Sequence, residues 1–218
     1  MMHKTIIILI FFLFNVSFAV TKSKCCQKEY IVTVNYLNNL QHSTQNNHIS
    51  IKSNFLIIIN TKLQKLCLYN PKGILLKSFM ISSSKKGLGS LLGSKKTPQG
   101  LHRIIQKFGD NTPNYGIFNK REFTNKIWPK SIYKTKHHKK DFIITRILRL
   151  EGLEKGVNKG KNIKGQTVDS LERGIYIHGT TMEWKLGTPS TIGCIHLSSN
   201  NIVELFNIVP VNSLVWIF

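Results

Sequence analysis

The sequence predicts a mainly β domain, a mixed β-sandwich or barrel in which one short helix follows a cysteine near the C-terminus. Short apolar or alternating runs of strand length recur along the chain and are separated by turns that contain Gly or Pro. The segment with the clearest apolar spacing of an amphipathic helix lies close to the C-terminus. The length of 218 residues fits one domain with a short extension.

The first nineteen residues have the pattern of a secretory signal peptide. Lys4 belongs to a weakly basic start, Thr5 to Phe14 is an apolar run, and Ser17 to Ala19 supplies small residues at a cleavage position. The apolar run is too short to favour a membrane-spanning helix, and an uncleaved membrane anchor is the alternative. A lipid anchor is disfavoured because Cys25 follows a lysine. We therefore divide the chain into a signal peptide (1–19), a polar N-terminal arm (20–48) and a folded domain (49–218).

The folded domain begins with strands. Phe55 to Ile59 and Lys65 to Tyr69 are apolar or alternating runs, and a turn at Asn70 to Gly73 precedes a third run from Ile74 to Ile81. Ser82 to Gly100 is a loop rich in Gly, Ser and Lys. This loop has the composition of a phosphate-binding loop without its spacing, so we exclude nucleotide binding there.

The second half of the domain alternates strands with one loop and one helix. Phe142 to Leu150 and Arg173 to His178 read as strands, and Glu151 to Asp169 between them is a loop by its glycine content. Ser198 to Ile208 is the predicted helix, with a capping residue at its start and an apolar face. Val211 to Phe218 closes the domain with a strand.

The formal net charge of +21 predicts anionic partners. Nucleic acid is disfavoured because an exported protein seldom meets it, and because the sequence has no recognition-helix, zinc-finger or RNA-binding aromatic pattern. We expect peripheral contact with an anionic wall or membrane surface instead.

The four cysteines are Cys25, Cys26, Cys67 and Cys194. Adjacent cysteines rarely pair with each other, and a reactive thiol at Cys194 would leave three, so the disulfide pairing stays open. We expect Cys67, which lies between two leucines, to be a small buried hydrophobic residue.

Two motifs near the C-terminus carry the candidate chemistry. His178 is followed by Gly179 and Thr180, and sixteen residues after His178 comes Cys194, preceded by Gly193. A cysteine needs a nearby base to attack as a thiolate, and histidine suits that task. The glycine before the cysteine permits close approach of the backbone to a substrate carbonyl. A zinc site built from His178, Cys194 and His196 is disfavoured because no fourth ligand stands at suitable spacing.

These motifs resemble the L,D-transpeptidase catalytic domain, the YkuD family. The family carries His-Gly-Thr and then a Gly-Cys-Ile segment before its last helix and strand, as this chain does at Gly-x-Pro-Ser-Thr-x-Gly-Cys-Ile-x-Leu. Residues 55–80 are similar to the opening hairpin of the family, and Lys96 to Gly100 is similar to its Thr-Pro-x-Gly turn. The resemblance extends from about Ile49 to the C-terminus.

The resemblance implies a YkuD-like fold and a cysteine acyltransferase that needs no cofactor and no metal. Its substrates would be peptidoglycan stem peptides, with a neighbouring stem or a lipoprotein lysine as acceptor. It implies Cys194 as nucleophile and His178 as base, oriented by a backbone carbonyl. The remaining expected site residues form the nucleophile and oxyanion loop (Thr191, Ile192 and Gly193) and the substrate-binding set (Gly179, Thr180, Ser190 and His196).

Two residues depart from the family pattern. Ile192 stands where the family commonly has histidine, and His196 stands where it commonly has arginine. The loss of an arginine removes a permanently charged fork that could grip a carboxylate. Two alternatives therefore stay open, an L,D-carboxypeptidase that uses water as acceptor and a non-catalytic wall-binding scaffold.

Overall fold

The computed structural model describes residues 27–36, 38, 54–133 and 140–218. The chain divides into two compact units, residues 1–50 and 51–218. In the first unit residues 27–36 form helix α1. The predicted signal peptide and most of the polar arm lie outside the described residues. Among the residues that are described, no helix is long and apolar enough to cross a membrane.

Ten strands and two α-helices make up the described part of the second unit. The strands are β1 (Leu56–Asn60), β2 (Lys65–Tyr69), β3 (Leu75–Met80), β4 (Gly100–Phe108), β5 (Gly116–Asn119), β6 (Glu122–Ile127), β7 (Ile143–Gly152), β8 (Tyr176–Thr180), β9 (Ile195–Leu197) and β10 (Leu214–Ile217). The helices are α2 (Lys130–Tyr133) and α3 (Ser199–Ile208).

The strands form one mixed sheet. Its main path runs in the order β3-β2-β1-β10-β4-β7-β5-β6, and two further strands branch from it, β8 pairing with β7 and β9 with β8. The β1–β10 and β8–β9 pairs are parallel, and the remaining pairs are antiparallel. The prediction of a mainly β fold with a short helix after the cysteine is confirmed.

β1 lies at the centre of the hydrophobic core. Ile57, Ile58 and Ile59 are fully buried, and the strand is hydrogen-bonded to β2 on one side and to β10 on the other. A continuous run of β-branched residues is typical of a strand that is covered on both faces. The burial of β1 therefore follows directly from its sequence.

α3 packs against β7 and β8, and β8 contains His178. The Ser198 side chain caps its first turn by accepting a hydrogen bond from the Asn201 N–H at 3.2 Å. Ile202, Leu205 and Phe206 form its buried face. Lys107 Nζ donates to the carbonyl oxygens of Phe206 and Val209, which satisfies acceptors at the end of the helix. The helix predicted at 198–208 is thus observed at Ser199–Ile208.

Two local features differ from the sequence-based prediction. β5 and β6 form an antiparallel hairpin where no strand was assigned, because most of their residues are partly or fully exposed and lack clear apolar alternation. β8 begins at Tyr176 rather than Arg173, because Gly174 adopts a left-handed φ of 64° in the preceding turn.

Cys67 is fully buried in β2, as predicted, and it is disulfide-bonded. Cys194 is a free cysteine.

Candidate active site

The two candidate motifs meet where β8 and β9 run side by side. These short strands are parallel, and His178 lies directly opposite His196 in their register. Cys194 immediately precedes β9. The sheet therefore brings the predicted base and the predicted nucleophile onto adjacent segments of the chain.

A bulge in β7 lies opposite His178. The register steps from the Ile144–Gly179 pair to the Ile147–His178 pair, which leaves two residues of β7 without partners on β8. One of them, Thr145, is a buried β-branched residue with a left-handed φ of 72°. Such outliers cost free energy, and bulges are common beside active sites, where they re-aim a side chain.

Glycine is required at position 179 by the closeness of this bulged strand. A Cβ on Gly179 would lie 2.6 Å from the carbonyl oxygen of Ile144. The close approach explains the glycine of the His-Gly-Thr motif as a packing requirement, and it fixes the backbone next to His178.

His178 is almost completely buried and is held by the backbone. Its Nδ1 lies 2.9 Å from the carbonyl oxygen of Gly179. A carbonyl can only accept, so Nδ1 carries the proton and Nε2 is left with its lone pair. Burial lowers the pKa of His178, while the Gly179 carbonyl and Asp141 act in the opposite direction. The imidazole is therefore neutral near pH 7, as a general base must be.

His196 packs against His178 and lies beside a carboxylate. The two ring centroids are 4.5 Å apart, and His196 Nδ1 lies 3.3 Å from Asp141 Oδ2. Burial, followed by the proximity of His178 and Lys185, lowers the pKa of His196 well below its usual value. The His196 ring is therefore neutral near pH 7, and its contact with Asp141 is not an ion pair at that pH.

Asp141 is in turn anchored by hydroxyl groups. Thr180 Oγ1 donates to Asp141 Oδ1 at 2.6 Å, and Thr181 Oγ1 donates to the same oxygen at 3.3 Å. Thr180 is fully buried. Gly179 and Thr180 thus hold neighbouring groups, and the substrate contact expected of them stays a prediction.

Asp141 is a site residue that the sequence analysis did not identify. Asp169 and Glu183, two other carboxylates close to the motifs in the sequence, bond elsewhere. Asp169 accepts hydrogen bonds from the backbone N–H groups of Gly160, Leu171 and Glu172, and Glu183 accepts from Ser199 N. A lone aspartate before a strand carries no local signal that could have revealed its contact with His196.

The Cys194 thiol is partly exposed and donates to the carbonyl oxygen of Gly174, with Sγ 3.6 Å from that oxygen. Burial raises the pKa of the thiol to about 11, and Asp141 acts in the same direction. A backbone hydrogen bond from Tyr176 and the charge of Arg173 lower this pKa. The resting cysteine is therefore a neutral thiol near pH 7.

The loop before Cys194 is rigidly bonded. Thr191 Oγ1 accepts from the Gly193 N–H at 3.1 Å and donates to the carbonyl oxygen of Cys194 at 2.7 Å. Thr97 Oγ1 donates to the carbonyl oxygen of Gly193 at 3.0 Å. Gly193 has a φ of 137°, and a Cβ there would lie 3.3 Å from the carbonyl oxygen of Lys96. Two loops therefore clamp the peptide that precedes Cys194.

The other predicted site residues differ in exposure. Ile192 projects outward, with 69% of its surface accessible, directly beside the Gly193–Cys194 pair. Ser190 is half-buried, and its N–H donates to the carbonyl oxygen of Ser83 at 2.9 Å. His196, expected to bind substrate, is buried behind the site. Of the seven loop and substrate-binding candidates, Ile192 is the best exposed to an approaching ligand.

A family pattern described as the L,D-transpeptidase catalytic domain matches residues 54–217. No curated protein matches the chain. Among solved structures, an L,D-transpeptidase from Mycobacterium smegmatis is 15% identical, with a TM-score of 0.42 over 76% of this chain and 58% of that one. L,D-transpeptidase 3 from Mycobacterium tuberculosis, in complex with a faropenem-derived adduct, is 14% identical, with a TM-score of 0.42 over 75% of this chain and 59% of that one.

The helical cell shape determining protein Pgp2 from Campylobacter jejuni is 20% identical, with a TM-score of 0.43, and the match covers 75% of this chain and 46% of that one. The chain thus spans about half the length of these solved structures. The family match runs through the strands, both candidate motifs and the last helix. The chain therefore belongs to the L,D-transpeptidase catalytic domain (YkuD) family.

Proposed function

We propose that this chain is an exported L,D-transpeptidase that acts on peptidoglycan tetrapeptide stems through an acyl-enzyme on Cys194. One observation carries the proposal: a neutral His178, held through Nδ1 by a backbone carbonyl, lies on the strand adjacent to the free thiol. A neutral imidazole with one nitrogen committed in this way leaves the other as a base for a nearby nucleophile.

In the acylation step, the Cys194 sulfur attacks the carbonyl carbon that joins the third stem residue, typically diaminopimelate, to the terminal D-alanine. The thiol proton passes to Nε2 of His178. As the tetrahedral adduct collapses, the C–N bond breaks, the proton moves to the leaving amine, and D-alanine departs. A thioester remains on Cys194. The S–H bond must first turn away from the Gly174 carbonyl, to which it donates at rest.

The thioester is resolved by a nucleophile from the second substrate. An amine of a neighbouring stem gives a cross-link, a lipoprotein lysine gives a protein–wall tether, and water gives simple trimming. In each case His178 takes a proton from the acceptor, and the sulfur leaves as the thiolate and is reprotonated. The binding site of the second substrate decides which acceptor is used, and the Cys194–His178 pair does not.

The oxyanion of the tetrahedral adduct needs backbone donors. The Gly193 N–H already donates to Thr191 Oγ1. We therefore assign the Cys194 N–H as the donor from this loop, with Thr191 and the glycine φ of 137° fixing its direction.

The proposals of export and of an anionic partner rest on the disulfide at Cys67 and on the net charge. A disulfide at Cys67 is typical of an oxidising compartment. The net charge of +21 favours an anionic wall or membrane surface over neutral partners. Lys85, Lys86, Lys95 and Lys96 are exposed on the loop that is hydrogen-bonded to the nucleophile loop, so part of this charge lies beside Cys194.

The raised pKa of Cys194 favours one rival, a non-catalytic wall-binding scaffold. A thiol that ionises only near pH 11 is inert unless His178 reaches it during reaction. The scaffold and the enzyme therefore make opposite predictions for acyl transfer.

The test is mass spectrometry of the mature protein incubated with a disaccharide tetrapeptide, alongside Cys194→Ala. We expect D-alanine release and an adduct on Cys194, both absent from the variant. Products then identify the acceptor as an amine or as water, which separates the transpeptidase from an L,D-carboxypeptidase. Intact substrate and no adduct on a folded, reduced protein would support the scaffold.

A further inference from the structure

Arg173 is a half-buried cation whose contacts are backbone carbonyls. Its Nη1 donates to the carbonyl oxygen of Gly89 at 3.1 Å, and its Nη2 donates to that of Lys96 at 2.5 Å. In the described part of the chain, no carboxylate forms an ion pair with it. The hydrogen-bond partners of this guanidinium are therefore neutral peptide carbonyls.

This cation lies against the nucleophile loop. Its Nη2 would lie 3.9 Å from a Cβ on Gly193. The carbonyl of the next residue, Gly174, accepts the hydrogen bond from the Cys194 thiol. The turn at 173–174 thus contacts the cysteine segment through both a charged side chain and a backbone acceptor.

The same guanidinium fixes the loop that clamps the cysteine. Lys96, to which Arg173 donates, is the residue whose carbonyl oxygen limits the space at Gly193. Its neighbour Thr97 bonds to the Gly193 carbonyl. A planar fork that binds two carbonyls holds such a loop in one position, which a single ammonium group does less well.

We propose that Arg173 is a positioning residue for Cys194: its fork braces the 89–96 loop against the nucleophile loop, and its unpaired charge stabilises the thiolate that forms when His178 takes the proton. The proposal rests on Cys194 being the nucleophile. A charge acts strongly across a partly buried space because the effective dielectric constant is low. Asp141 acts on the same thiol with the opposite sign, so Arg173 offsets the carboxylate of the site.

A purely structural brace would leave the ionisation of the thiol unchanged, so the titration of Cys194 is the readout. The rate of alkylation by iodoacetamide is followed by intact mass from about pH 7 to about pH 11, with Cys194→Ala as the blank for other thiols. The variants are Arg173→Gln, which loses charge and fork, and Arg173→Lys, which keeps the charge. Arg103→Gln is the matched control, because it loses the same charge at an ion pair with Glu151.

We expect Arg173→Gln to raise the apparent pKa of the thiol by about one unit. The thiolate fraction near pH 8 then falls about tenfold. The alkylation rate falls only about threefold, because a more basic thiolate is also more nucleophilic. Arg173→Lys and Arg103→Gln keep the wild-type apparent pKa. An unshifted pKa in a folded Arg173→Gln protein overturns the proposal. If the Gln variant does not fold, a shifted pKa in a folded Lys variant overturns it equally.

Alkylation needs no peptidoglycan, so the role of Arg173 is tested independently of the proposed transpeptidase activity. D-alanine release is measured on the wild type and on the Arg173→Gln, Arg173→Lys and Arg103→Gln variants. A wild type that releases no D-alanine but shows the Arg173-dependent titration refutes the enzyme and keeps the role of Arg173. A wild type that releases D-alanine, together with an Arg173→Gln variant whose thiol pKa is unshifted, supports the enzyme and refutes the role of Arg173.

Discussion

Asp141 Oδ2 lies 3.3 Å from Nδ1 of His196, and that histidine stacks at 4.5 Å on the proposed base His178. The carboxylate therefore reaches the base through a second ring. It raises the pKa of His178 against the effect of burial, and it raises the pKa of Cys194. One aspartate thus makes the imidazole a better proton acceptor and the thiol a poorer proton donor.

Replacement of Asp141 by Asn tests this dual effect. Without the negative charge the imidazolium form of His178 is less stable, so its pKa falls further. The acidic limb of the pH profile of kcat/KM should then move to lower pH, and the Cys194 thiol should ionise at lower pH, because the same charge raises both pKa values. The measurement is D-alanine release across pH. Glu204→Gln, at an exposed ion pair with Lys77, is the control and should leave the profile unchanged.

Gly193→Ala should damage activity more than stability. The alanine must adopt a φ near 137° and place its Cβ 3.3 Å from the Lys96 carbonyl oxygen, at a strain of about 1–3 kcal/mol. Relief of this strain would move the backbone of Cys194, so kcat should fall by at least about a hundredfold. Urea unfolding and D-alanine release measure the two effects.

The control for this glycine is Gly160→Ala. Gly160 also has a positive φ, of 68°, but a Cβ there would meet nothing within 4 Å. Its variant should lose some stability and keep its activity. Equal losses of activity in the two variants would contradict a specific role for the Gly193 backbone.

The sequence predicted the parts of this site that local patterns encode. Cys194 and His178 could be selected because each stands beside a glycine at a strand end. β1 and α3 could be predicted because their apolar spacing is regular. Asp141 and Arg173 could not be predicted from local patterns. The role of Asp141 depends on the register of β7 with β8, and that of Arg173 depends on the turn before β8; both are long-range features. The burial of His196 was missed for the same reason, since an alternating strand pattern does not reveal which face is covered.

Stability should fall in acid because of a buried histidine outside the site. His102 is fully buried, its Nδ1 donating to the carbonyl of Gly100 and its Nε2 accepting from Ser170 Oγ, and burial lowers its pKa to about 4. The unfolded chain then binds more protons than the folded one between pH 6.5 and 4. The contribution of His102 to the free energy of unfolding, roughly 3 kcal/mol, is present above pH 6.5 and is lost as the pH falls from 6.5 to 4.

Urea unfolding of the wild type and His102→Asn from about pH 8 to about pH 4 measures this linkage. The Asn variant should be less stable near neutral pH, because it cannot span both partners. Its unfolding free energy should decline less steeply below pH 6.5, because the histidine that takes up the proton is absent. Parallel curves for the two proteins would assign the acid sensitivity to other groups.

Ile192→Ser should weaken substrate binding without affecting the fold. Ile192 is 69% exposed beside the nucleophile, so the side chain adds little to the core and is free to cover apolar surface of a bound stem peptide. Loss of such a contact is worth about 1 kcal/mol, or about a fivefold increase in KM, with kcat nearly unchanged. Steady-state D-alanine release gives both constants. Ile163→Ser, at a fully exposed isoleucine on the 153–170 loop, is the matched control and should leave KM unaltered. An unchanged KM in Ile192→Ser would mean that this residue lies outside the donor site, and that the position's departure from the family histidine has no effect on substrate binding.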